Sequence, residues 1–464
     1  MLLGFVVISL KAQPLAQRLD SLLLNDPMLK TSEVGISVFD LTTGEQLFRY
    51  QDEKIYRPAS TEKVVTSVSA LATLGTDYTM DTHLKYTGKI ENDTLKGNLY
   101  LIGGFDPEFM DEDLDSLVDV ITRSGIRHIA DTLAADVSMT DSVYWGNGWS
   151  WDDAPDSFQP YLSPLMLNRG CVDVTVIPTQ KDSLPLVLCV PVSDYYQMDN
   201  DGVTNNSQAG PLKITRNWLY HGNLIHISGN VTKKTTRTLS IYNSKEFFFQ
   251  TFIKRLKEKG IESNTIALAD CPENDSTTVV STLFTLKRPI GEVLEQMMKE
   301  SDNLCAESMF YHMAMKHAKH KRVSDNDGTD AINHFIKESL GLNPEYYNIV
   351  DGSGVSLYNY ISPHLLLEYL KYAYYHADIF QPFYEALPIA GIDGTLEHRM
   401  KKGKAYNNVH AKTGTVTGVS SLAGYAKALN GHQLAFSIIN QNVMKSRQAR
   451  NFQDKVCEIL CTSK

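Results

Sequence analysis

Pro58-Ala59-Ser60-Thr61-Glu62-Lys63 leads without a break into Val64-Val65-Thr66-Ser67-Val68. Apolar residues at Val64, Val65, Val68, Leu71 and Leu74 recur at helical spacing, which predicts a turn that feeds a helix. Ser60 falls at the first turn, and Lys63, three residues on, shares its face. A serine hydroxyl is a poor nucleophile until a base takes its proton. A lysine is such a base only when burial or nearby positive charge lowers its pKa. The helix N-terminus adds a positive field where an oxyanion would form. A capped, solvated helix start carries the same pattern, and Ser-x-x-Lys alone does not separate the two readings.

Two later stretches do. Ser301-Asp302-Asn303 opens the helical run Leu304-Cys305-Ala306-Glu307-Ser308-Met309, and Lys412-Thr413-Gly414-Thr415 ends an apparent strand, Asn408-Val409-His410-Ala411. Three such motifs in this order, each in a fitting context, are hard to ascribe to chance. Together they resemble the serine acyltransferase signature set of penicillin-binding proteins and class A β-lactamases.

At 464 residues the chain has room for two or three domains. A net charge of −10 argues against nucleic acid as a partner. No apolar run of membrane-spanning length follows the N-terminus, so no transmembrane span is expected. Leu2 to Leu10 is a short apolar run with Ala12-Gln13 as a cleavage point. It resembles a signal peptide without its basic leader, and residues 1–12 are read as its remnant, directing export to the periplasm. The six cysteines suggest neither a disulfide scaffold nor a zinc site. Cys457 and Cys461, four apart on an expected helix, read as core, and Cys305 as packing. Whether Cys171 and Cys189 pair is left open by the sequence.

Along the chain, residues 14–24 read as an amphipathic helix. Val34 to Phe39 and Gln46 to Tyr50 form a hairpin leading to Ser60. From about residue 76 the texture changes to short strands, with a helix expected over Phe109 to Gly125 and a polar loop over Asp199 to Gly210. Phe247 to Lys259 and Ile290 to Lys299 read as helices. Ser421 to Ala428, Asn430-Gly431 and Gln433 to Asn440 give a hairpin beside the Lys412 strand, and a helix over Ser446 to Leu460 closes the chain. The expected organisation is a split catalytic domain over 13–75 and 282–464. Residues 76–165 and 236–281 form a second unit and 166–235 a third, β-rich one.

The insertion distinguishes this chain from the compact β-lactamases. It resembles the class C low-molecular-mass penicillin-binding proteins, the D-alanyl-D-alanine carboxypeptidase/endopeptidase family. The likeness extends to Gly103-Gly104-Phe105-Asp106-Pro107, Gly148-Trp149-Ser150-Trp151-Asp152-Asp153, Asp351-Gly352-Ser353-Gly354 and Ala390-Gly391-Ile392-Asp393-Gly394-Thr395-Leu396. The resemblance implies an α/β (α+β) fold. Its β-lactamase/transpeptidase-like catalytic domain has an antiparallel sheet flanked by helices and is interrupted by two inserted β-rich domains.

It also implies roles. Ser60 is the acylated nucleophile and Lys63 its base. Ser301 relays a proton, Asn303 holds the substrate amide, and Lys412 receives the terminal carboxylate and depresses Lys63. Thr413, Gly414 and Thr415 border the substrate, with backbone N–H groups of Ser60 and Thr415 as the oxyanion hole. Asp153 and Phe158 match a pocket for the amino end of a diaminopimelate side chain. Tyr358 stands where the family often has arginine. A loop carboxylate and a tight turn are the plainer readings of Asp153 and of Asp351 to Gly354. No metal or cofactor is implied. His312, His317 and His320 have poor ligand spacing, and His410 reads as structural. Trp145, Trp149 and Trp151 read as packing, with a sugar-stacking surface as the alternative.

The implied partners are peptidoglycan stem peptides, with β-lactam antibiotics as covalent inhibitors. A β-lactam-hydrolysing enzyme would need a dedicated deacylating base, and no carboxylate is evidently placed for it. A non-catalytic wall-binding module would not need an activated serine.

Overall fold

The two ends of the chain meet in one sheet. Glu33–Asp40 pairs antiparallel with Glu45–Tyr50 on one side and with Gln433–Val443 on the other. Gly418–Lys427 and His410–Val416 complete the five strands. The computed structural model describes residues 13–273 and 277–464. Residues 1–12, read above as a signal-peptide remnant, lie outside the described residues. Gly431, at φ +90°, supplies the left-handed residue that closes the last hairpin.

These strands carry near-continuous apolar runs because both faces of the sheet are covered. Val34, Ile36, Val38, Leu422, Phe436 and Ile438 face the helices Leu15–Asn25 and Ser446–Cys461. Ala423, Tyr425, Ala435 and Ile439 face the opposite way, toward the helices Glu62–Leu74, Asn303–Ala318 and Pro363–Tyr375. The Asn303–Ala318 helix is buried from Leu304 to Ala314, so it shows no polar stripe.

Between Leu74 and Ile290 the chain leaves this layered unit. A seven-stranded sheet joins Thr79–Thr87 and His128–Asp136 to the returning strands Glu262–Leu268 and Val280–Pro289. Helices Asp111–Arg123 and Ser244–Glu258 share its core through Leu117, Ile121, Phe248 and Phe252. Two three-stranded sheets fill residues 171–240. Val280–Pro289 pairs along its length with Thr79–Thr87 and runs straight into the helix Ile290–Lys299. Residue 282 therefore lies inside an inserted-sheet strand. The architecture is α+β.

Three local expectations need correction. The Lys412 strand does not end at Ala411. It spans His410–Val416, because pairing with Gly418–Lys427 continues to Val416↔Val419 and carries Lys412 to Thr415 within the ladder. The polar segment from Asp199 is not a loop until Thr204, since Gln197–Thr204 gains a parallel ladder with Leu224–Val231. The helix expected over Phe109 to Gly125 is Asp111–Arg123, starting where the Asp113 carboxylate accepts from the Met110 N–H at 3.0 Å. All six cysteines are free thiols, and Cys189 faces Val174 in the ladder, not Cys171.

Phe436 is wholly buried in the layer beneath the C-terminal helix. Phe436→Ala should cost about 3–5 kcal/mol through transfer and cavity terms. A clear fall in the thermal unfolding midpoint checks this.

Candidate active site

The site begins with a strained turn. Ala59–Thr61 forms a 3-10 turn that passes directly into Glu62–Leu74, and Ala59 sits at φ +49°, a conformation costly for a side-chain-bearing residue. Two hydroxyls hold it there. Thr61 Oγ1 and Ser421 Oγ both donate to the Pro58 carbonyl, at 2.8 and 2.6 Å. Ser421 lies opposite Gly414 in the sheet, so the turn is anchored to the strand next to that of Lys412. A Cβ on Gly414 would lie 2.9 Å from the Ser60 backbone nitrogen and would collide with Ser421 Oγ. Only glycine lets the strand approach this closely.

Lys63 is fully buried, and its ammonium group donates to Ser60 Oγ at 3.0 Å, Asn303 Oδ1 at 2.7 Å and the Ser353 carbonyl at 2.8 Å. Burial pulls its pKa down to about 8, against the opposing pull of Asp351, Asp302 and Glu307. The Ser353–Gly354 peptide is polarised from its other end, because Gly354 N–H donates to Asp351 Oδ1 at 2.8 Å. Asp351 also accepts from Trp149 Nε1 at 3.0 Å, Ser356 N–H at 2.7 Å and Asn359 Nδ2 at 2.6 Å. The Asp351–Gly354 segment is thus a turn that presents a carbonyl to Lys63.

Sequence reasoning missed the acids around this lysine. Glu307 accepts from the Gly352 and Ser353 N–H groups at 3.2 and 2.9 Å. Burial, and then the Asp351 charge, push its carboxyl up to about 8. It stands four residues after Asn303 on one helix, and that spacing was the available signal. Glu62 is fully buried with no hydrogen-bond partner for either oxygen among the described residues, and burial drives its pKa well above the ordinary value. Ser421 left no pattern in the sequence.

The other motif residues form a second group. Lys412 Nζ donates to Ser301 Oγ at 2.7 Å and to the Thr413 carbonyl at 2.9 Å. Thr413 Oγ1 donates to Thr395 Oγ1 at 2.8 Å. Burial, and after it the charge on Lys63, push the Lys412 ammonium well below its ordinary value. Repulsion between two buried ammonium groups is mutual, and Lys63 has the acids Asp351, Asp302 and Glu307 to offset it, whereas no ion pair to Lys412 occurs among the described residues. Ser301 has φ +61°, and Asp302 caps the following helix by accepting from Cys305 N–H at 2.8 Å. Arg169 pins this corner by pairing with Asp302 and Glu108, each at 2.5 Å. Cys305 is buried beside Glu108, as a packing residue should be.

Asn303 links the Lys63 group to the inserted segment, since its Oδ1 accepts from Lys63 and its Nδ2 donates to the Phe158 carbonyl at 2.7 Å. Phe158, Ser301 and Asn303 line one wall of a cavity of about 420 Å³ that reaches Arg169. Thr415 is exposed at the end of the Lys412 strand. Asp153 contacts none of the motif residues and has no ion pair among the described residues. Burial and the Asp152 and Asp156 charges hold its carboxyl above the usual value. Tyr358 is exposed and sits against Gly148. His312 bridges the Tyr78 hydroxyl and the Gly104 carbonyl, and His410 stacks on Tyr384 with ring centroids 4.2 Å apart. The tryptophans divide: Trp149 is buried against Asp351, while Trp151 is exposed.

A Cβ on Gly354, at φ +80°, would collide with the Ala59 carbonyl. Gly354→Ala should cost roughly 2 kcal/mol or more and displace the Ser60 turn. A lowered unfolding midpoint, with loss of at least tenfold in β-lactam labelling, checks it.

Comparison with known proteins adds to this geometry. The model of the D-Ala-D-Ala carboxypeptidase 3 (S13) family matches residues 15–462. D-alanyl-D-alanine carboxypeptidase DacB of Haemophilus influenzae is 26% identical over 419 residues, 89% of this chain and 86% of that protein. The D-alanyl-D-alanine carboxypeptidase of Actinomadura sp. is 29% identical over 440 residues, 90% of this chain and 79% of that one. The crystal structure of penicillin binding protein 4 (dacB) from Haemophilus influenzae superposes with a TM-score of 0.82 at 25% identity, covering 96% of this chain and 99% of that one.

Proposed function

The chain belongs to the D-Ala-D-Ala carboxypeptidase 3 (S13) family, and from that premise we propose that it removes terminal D-alanine from peptidoglycan stem peptides through a Ser60 acyl-enzyme. The observation that carries this reading is the fully buried Lys63 amine 3.0 Å from Ser60 Oγ, with its pKa drawn down to about 8.

In the proposed mechanism, neutral Lys63 takes the Ser60 proton as Oγ attacks the carbonyl of the penultimate D-alanine. Backbone N–H groups of Ser60 and Thr415 receive the oxyanion, with Thr413 and Gly414 beside the substrate. Ser301, hydrogen-bonded to Lys412, passes its proton to the departing amine as the C–N bond breaks and regains one from the Lys63 ammonium, so the proton taken from Ser60 leaves with D-alanine. Water then hydrolyses the Ser60 ester. Lys412 has no carboxylate partner among the described residues, and the terminal carboxylate of the substrate supplies one. Asn303 keeps its second amide N–H for a substrate carbonyl.

A β-lactam presents the same carbonyl and carboxylate and acylates the same serine. The cavity beside Asn303 gives room for cross-linked peptides, so cleavage of D-alanyl cross-links is part of the proposal. No helix among the described residues is long and apolar enough to cross a membrane, and we place the enzyme in the periplasm, where its substrate lies.

Ser60→Ala should abolish β-lactam labelling while leaving the unfolding midpoint unchanged, and labelling that persists rejects Ser60 as the nucleophile. Arginine does not deprotonate, so Lys63→Arg should be nearly inactive. Because the base must be neutral, acylation should rise with pH and level off above about 8, falling roughly tenfold per unit below it. A flat profile between pH 6 and 8 removes Lys63 from that role. Mass analysis of monomeric and cross-linked muropeptides reads D-alanine release and cross-link cleavage separately.

Asp153 and Phe158 are proposed to grip the amine and methylenes of a diaminopimelate or lysine side chain. Asp153→Asn should lower kcat/KM several-fold to about tenfold for peptides bearing that amine and spare a small β-lactam. Equal losses for both identify a structural residue. With Tyr358 in place of arginine, little preference for diaminopimelate over lysine is expected.

A further inference from the structure

Six aromatic rings outside the catalytic groups line an open cavity of about 360 Å³: Tyr144, Trp145, Trp151, Tyr161, Trp218 and His221. Trp151 is 66% exposed, with its ring 5.4 Å from that of Trp218 across a sequence separation that only the fold closes. Tyr144 and Leu219 on the same cavity are exposed as well, and a contiguous exposed apolar patch marks a ligand or partner site. The walls are fixed before anything binds. Trp145 packs edge-on against buried Trp149 with centroids 5.6 Å apart. The buried Arg216 lies 5.5 Å from the Tyr161 ring centroid and donates to its hydroxyl at 3.2 Å. The volume is that of a small-ligand site.

We propose that this cavity is a carbohydrate subsite that stacks a pyranose ring of the glycan strand to which the stem peptide is attached. The proposal rests on the DD-peptidase reading. Flat aromatic faces with hydroxyl, indole and imidazole groups at their edges suit the C–H face and hydroxyl rim of a sugar. Nucleobases would also stack, but a chain of net charge −10 repels the phosphates they carry.

One segment joins the cavity to the catalytic groups. The segment of residues 144–161 carries Trp151, then Asp153, then Phe158, whose carbonyl is bonded to Asn303. A wall peptide carries its parts in the same order: sugar, amine-bearing side chain, scissile bond.

The test compares a disaccharide-pentapeptide with the same pentapeptide lacking sugar. The native enzyme should favour the first by about tenfold in kcat/KM. A Trp151→Ala/Trp218→Ala double variant should lose that preference, while its sugar-free peptide turnover and β-lactam acylation stay within about twofold. Trp151→Phe should restore part of the preference. Equal loss on both peptides, or an unchanged preference in the double variant, overturns the proposal. Tryptophan fluorescence of the Ser60→Ala protein, titrated with the N-acetylglucosaminyl-N-acetylmuramic acid disaccharide alone, reads the cavity without any turnover. A saturable change that disappears in the double variant supports the subsite even if neither peptide is cleaved, an outcome that would sink the peptidase reading alone. No response to the disaccharide, or a response only to an apolar peptide, overturns the carbohydrate assignment.

Discussion

An ammonium group without access to water governs this molecule. Lys63 is sealed beneath Ser60, and each of its three N–H directions meets an acceptor from a different part of the chain: its own turn, the Asn303 helix and the Ser353 carbonyl. Burial lowers the pKa of such a group, and acids beside it raise it again. The value of about 8 is the balance of the two. Glu307 and Glu62, themselves raised by burial, bear less negative charge near the lysine than their number suggests. Asp351 is held in place by four donors within 3.0 Å.

Holding that lysine requires three backbones to converge. The Ser60 turn, the Gly354 turn and the Asn303 helix approach until a single Cβ at Gly354 would strike the Ala59 carbonyl. The strain at Ala59 persists because Ser421 and Thr61 tie the Pro58 carbonyl to the sheet. Core packing on both faces of that sheet makes it rigid enough to serve as the anchor.

The inserted part shares a core with this centre, through buried Met80, Phe105, Trp149, Leu162 and Met166, and adds polar contacts to it. Arg169 grips Asp302, the Phe158 carbonyl receives Asn303, and Trp149 donates to Asp351. Each of these reaches a residue that touches or orients the reactive group. The insertion therefore completes the walls of the cleft and extends it toward the aromatic cavity.

Much of this was legible in the sequence, for a physical reason. Helical spacing from Val64 to Leu74 fixes the helix, and i,i+3 geometry then puts Lys63 beside Ser60 whatever the rest of the chain does. The Asn430-Gly431 turn between two apolar runs likewise sets the last hairpin locally. Family resemblance supplied the roles expected of Ser301, Asn303 and Lys412. The sequence could not divide them into a Lys63 group and a Lys412 group, nor show that burial holds both amines below the ordinary lysine range. Those outcomes depend on which acids lie within reach of each buried amine, a matter of contacts hundreds of residues apart. Gln197–Thr204 misled for the same reason: a polar strand is stabilised by a neighbouring ladder that no local pattern records. Ser421 and Glu62 escaped notice because a hydroxyl or a carboxyl has no periodicity, and only burial among converging backbones makes it matter.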